Sequence, residues 1–168
     1  MGHHISAVVL RGSFDERQAL AFDLKPIPLF DGLTLFPLDA RYPDFWSQKL
    51  QVHGFASSTP LLNSRVVHYM INSIANDPLF ALIETDYCGG VGCEAAVAYR
   101  GTKQIMVPDS TDVERIGGSV GPVNKALRML GVISKDGSDE FDTLELGRYR
   151  DFSDLFEEYD IDSGNQKQ

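Results

Sequence analysis

Three carboxylates lie close together on two strand-like runs. Glu84 and Asp86 fall in Leu79–Cys88, and Glu94 follows a glycine-rich turn. Carboxylates held within a few ångströms raise one another's pKa or bind a divalent cation through hard oxygen ligands. Either arrangement suits acid–base or metal-assisted hydrolysis. The competing reading is a solvated acidic hairpin end, or a contact surface for a basic partner. Register separates the two. Side chains alternate across a strand, so Phe80, Leu82, Glu84 and Asp86 share one face, and Ala81, Ile83, Thr85 and Tyr87 the other. If Tyr87 pairs with Cys93, Asp86 faces Glu94 and the carboxylates gather. If Cys88 pairs with Cys93 instead, the register shifts by one and they disperse.

The same turn carries other candidates. Gly89, Gly90 and Gly92 offer the positive backbone angles of a tight connection, and beside Tyr87 they would let a ligand approach the backbone. A strand follows them, whereas a phosphate-binding loop leads into a helix N-terminus. Cys88 and Cys93 could form a disulfide only if they sit opposite one another. As a nucleophile, Cys88 would need a base. His68 is the one partner to propose, and its helical angle places it outside the apolar stripe, toward solvent. Two thiols and scattered histidines make no recognisable zinc spacing, and His3 and His4 read as a frayed terminus. G-x-S-x-G, H-E-x-x-H and G-x-G-x-x-G are absent, so the expectation is no metal and no cofactor.

Acidic residues dominate the C-terminal third. Glu157 and Glu158 stand near the end of an expected helix over 151–159, where the dipole disfavours negative charge. An acidic face kept there fits recognition of something basic. The candidate binding residues are therefore Tyr87, Gly89, Gly90, Glu157 and Glu158.

The elements around these residues can be read from periodicity. Residues 5–10 form a β-branched, buried strand. Ser13 and Glu16 have the form of a capping box for a helix over 14–22. Pro26 and Pro28 restrict 25–30 to an edge strand, and Asp31-Gly32 turns into a strand over 33–36. Helices are expected over 44–51, over 60–75 behind Thr59-Pro60, and over 122–130 behind Gly121. Residues 79–107 read as a three-strand meander, 108–120 as a loop and 141–146 as a strand; the tail 163–168 reads as disordered.

The chain has 168 residues with a formal net charge of −9. That size suits one domain, and the expectation is a single α+β domain over 1–162. Its sheet should be antiparallel or mixed with the meander at its centre, and the 60–75 and 122–130 helices should pack mainly on one face. Acidity opposes binding to nucleic acid or anionic lipid and favours a basic protein partner. No apolar run approaches a membrane span, and two cysteines suit a reducing, cytoplasmic setting. The functional expectation is a protein-binding module of inhibitor or immunity type, more readily than an enzyme. A hydrolase using Glu84, Asp86 and Glu94 is the alternative, followed by a small-molecule sensor with its pocket between sheet and helices.

Overall fold

The computed structural model describes residues 2–52, 61–89, 91–113, 120–150 and 152. Among them an antiparallel sheet runs β2-β3-β1-β4-β5-β6. Its strands are β1 (His3–Arg11), β2 (Ile27–Pro28), β3 (Leu33–Pro37), β4 (Leu79–Cys88), β5 (Val91–Arg100) and β6 (Lys103–Val113). The helices are α1 (Glu16–Ala21), α2 (Tyr42–Leu50), α3 (Arg65–Ile74), α4 (Pro122–Met129) and α5 (Glu140–Thr143). The class is α+β, as expected. The meander β4-β5-β6 is present, but it runs from the middle of the sheet to one edge because β1 inserts between β3 and β4.

Helices cover both faces, which corrects the one-face expectation. Val8, Leu10, Phe36, Phe80, Leu82 and Val97 pack under α1, α2 and α3. Ile5, Ala7, Val9, Leu35, Ile83 and Ala96 pack under α4 and its surroundings. We call these the first and second faces. This explains why residues 7–10 are all buried: with apolar cover on both sides, a strand reads as a continuous hydrophobic run. On the second face, Ala7, Ala81, Ala96 and Ala98 are small enough to let α4 approach the sheet closely. The apolar stripe of a helix specifies that one side is buried, but not which face of a sheet buries it.

Local boundaries also differ from the sequence reading. Asp15, not Ser13, caps α1, accepting from the Gln18 N–H at 3.0 Å. Ser64 caps α3; Thr59 and Pro60 lie outside the described residues. The start of the expected 108–120 loop is strand, since β6 continues to Val113, and Pro108 is tolerated because β6 is an edge. Residues 141–146 are not a strand: 141–143 complete α5, which the Asp139 carboxylate caps by accepting from the Asp142 N–H, and a turn with Glu145 at positive φ follows. The two-residue β2 edge and the Asp31-Gly32 turn agree with expectation, with both turn residues at positive φ. The 151–159 helix and the 163–168 tail fall outside the described residues.

Candidate functional site

The hairpin is tighter than either sequence register assumed. Cys88 pairs with Val91 and Tyr87 with Gly92, so residues 89 and 90 alone link β4 to β5. Gly89 takes a positive φ of 62°, as such a link requires; Gly90 lies outside the described residues. Asp86 therefore pairs with Cys93, Glu84 with Ala95, and Thr85 with Glu94. Glu84 and Asp86 project from the first face and Glu94 from the second. The three-carboxylate grouping does not form, because a two-residue link changes which residues stand opposite one another.

On the first face, His4, Asp86 and Cys93 make one cross-strand row and Ser6, Glu84 and Ala95 the next. His4 Nδ1 lies 3.8 Å from Asp86 Oδ1, and both side chains are 67% exposed. His3 and His4 are thus strand residues rather than a frayed end. Cys88 and Cys93 are free and exposed on this same face, beside Val91, which is 63% exposed. Glu84 is half-buried. Burial pushes its carboxyl above the usual range, and the nearby His4 offsets this only in part.

The second face is closed. Thr85 and Glu94 are 2% and 4% exposed and, with Thr111, form a row across β4, β5 and β6. His3 Nδ1 lies 2.8 Å from Thr85 Oγ1, and its ring stacks on Phe141 at 5.2 Å and tilts against Tyr87 at 5.1 Å. Burial lowers the His3 pKa, partly countered by Asp86. The Glu94 carboxylate sits against Gly121, the residue that precedes α4. A helix N-terminus has unpaired N–H groups and a positive dipole end, so a buried carboxylate is favoured there. A hydroxyl beside an imidazole is the pairing of an activated nucleophile. At 2% exposure Thr85 is out of reach of a substrate, and Glu94 is the member of the row that meets the start of α4.

The cysteines and His68 do not combine. Cys88 and Cys93 share a face but are diagonal neighbours, with Cβ atoms roughly 7 Å apart by strand geometry, too far for a disulfide. His68 packs on Tyr99 and Phe80, with centroids 4.6 and 5.4 Å away. Phe80 is eight positions from Cys88 along β4, or about 26 Å, so His68 cannot serve that thiol as a base. It is half-buried rather than turned fully to solvent, because Phe80 and Tyr99 widen the apolar surface beyond the stripe of α3. Its Nε2 is buried with no hydrogen-bond partner among the described residues, and burial lowers its pKa.

Of the expected binding residues, Tyr87 and Gly89 sit at this end of the sheet, while Glu157 and Glu158 lie outside the described residues. Among the described residues no three His, Cys, Asp or Glu side chains converge to hold a metal ion, and no helix is long and apolar enough to cross a membrane. No protein-family model, curated protein or solved structure matches the chain. Sequence alone did not show the Thr85–Glu94–Thr111 row or His3 beside it on the same face. Alternation alone would have placed His3 with Ile5 and Ala7, had β1 been started two residues earlier.

Proposed function

We propose that the chain is a protein-binding module that meets a basic partner through the first face of the β4–β5 hairpin. The observation that carries this reading is one of composition on a single face: Glu84 and Asp86 stand beside the exposed Cys88, Val91 and Cys93. Acidic groups next to apolar ones suit both parts of recognition. Charge speeds encounter with a basic surface and sets orientation, while desolvated apolar anchors supply most of the affinity. The overall charge of −9 adds long-range attraction for a cationic partner and repels nucleic acid and anionic membrane. Two free surface thiols fit a reducing compartment such as the cytoplasm. An inhibitor or an immunity-type protein would use such a face. A hydrolase built on Glu84, Asp86 and Glu94 gains no support, since Glu94 projects from the opposite face.

The test is an affinity capture from the source organism's lysate with the full chain as bait, washed at rising salt. A stoichiometric basic protein released by salt is expected. Recovery of no specific protein, or of an acidic one indifferent to salt, overturns the reading.

A further inference from the structure

We infer that a cavity at the opposite end of the sheet binds a small, uncharged aromatic molecule. The cavity has a volume of about 230 Å³ and lies between the Phe30–Leu33 stretch and two segments that follow α4, Val132-Ile133 and Thr143-Leu144. Its floor is apolar and buried, formed by Leu33, Val132 and Leu144. Its rim carries two large apolar side chains in solvent, Phe30 at 64% and Ile133 at 86% exposure. One exposed apolar residue means little, but two flanking an apolar hollow are the pattern of a ligand pocket.

Size and charge narrow the ligand. An apolar cavity of roughly 150 Å³ admits benzene, so this one suits a single ring with one or two small substituents. The walls are braced before any ligand arrives. Arg11 donates from Nε to the Leu130 carbonyl on one side, and from Nη1 and Nη2 to the Asp31 carbonyl and carboxylate on the other, the latter two at 3.0 Å. Such bracing lowers the ordering cost of binding. It also pairs the Asp31 charge. Lys135 Nζ sits 5.0 Å above the Phe30 ring. With Asp31 already paired, the floor of Leu33, Val132 and Leu144 offers an ionic group nothing to replace its lost water, so a neutral ring is favoured. This site is independent of the hairpin face and does not rest on the protein-binding reading.

The test is a methyl-detected NMR titration of the full chain with toluene, repeated with benzoate. Saturable shifts confined to the methyls of Leu33, Val132, Ile133 and Leu144 are expected, with benzoate at least tenfold weaker. Ile133→Asp changes an exposed rim residue, so the fold is retained, and it should weaken toluene at least tenfold. Leu20→Asp, on exposed α1 over the other face, should leave it unchanged. Shifts that are scattered or never saturate, indifference to Ile133→Asp, or equal affinity for benzoate would overturn the assignment.

Discussion

The carboxylate of Glu94 occupies the place where a side chain on Gly121 would begin: a Cβ there would stand 2.7 Å from the Glu94 carboxyl carbon and closer still to Oε1. Gly121→Ala must therefore displace either α4 or Glu94, and a loss of about 1–3 kcal/mol is expected by analogy with overpacked cores. Glu94→Ala should also destabilise, by removing a buried group from the helix N-terminus. The double variant should lose less than the sum of the two, with a coupling of roughly 1 kcal/mol. Strict additivity in chemical denaturation would show that the two residues do not meet.

Glu84 supplies a pH-dependent prediction of opposite sign to an ordinary salt-bridged carboxylate. Its folded pKa is raised above the usual 4.5 by burial. The ionised form therefore costs stability above both values, and the cost vanishes once pH falls below the unfolded value. Glu84→Gln should raise Tm at pH 7, by about 2 °C, and the gap to the parent should close as pH drops through the folded pKa. A lower Tm for the variant at pH 7 would contradict the assigned environment.

His68 acts from the base side. Its folded pKa is lowered from 6.5, so the unfolded chain takes up the proton first. Stability should fall as pH drops below 6.5 and level off below the folded value. His3 shifts in the same direction, so both contribute. His68→Phe keeps a ring against Tyr99 and Phe80 without titrating, and should make the fall in Tm between about pH 7 and pH 5 shallower, leaving the part due to His3. An unchanged slope in thermal melts would exclude a buried neutral His68.

The strands of the hairpin were legible in sequence because period-two alternation in Phe80, Leu82 and Glu84 needs no knowledge of the partner. The register was not: two or five linking residues are both compatible with the glycines, and the choice decides whether Glu94 joins Glu84 and Asp86. The first half of β6 was legible as the third strand of the meander, but its continuation to Val113 hid behind Pro108 and the polar Asp109, Ser110 and Thr111, which carry a strand signal only once it is known to be an edge. The opposite placements of α3 and α4 were invisible, since amphipathicity fixes a buried side and not a sheet face. The cavity brings Phe30 together with Ile133, residues far apart in sequence whose meeting depends on the whole fold.

The thiols give a direct check on the hairpin register. With Cys88 and Cys93 exposed, diagonal and free, both should react rapidly with a thiol reagent in the native protein. Mild oxidation should leave the monomer without an internal disulfide, by mass spectrometry of unreduced peptides. A ready Cys88–Cys93 bond would mean that the two stand opposite one another, as in the alternative register.

The most direct test of the central claim compares two baits in one salt-graded capture: the parent chain and Glu84→Gln/Asp86→Asn. Both changes preserve shape and remove charge, and Asp86 is exposed, so the fold should survive and can be verified by circular dichroism. A basic partner held by the parent should be lost from the variant, or released at much lower salt. Equal retention of that partner by both baits would contradict it.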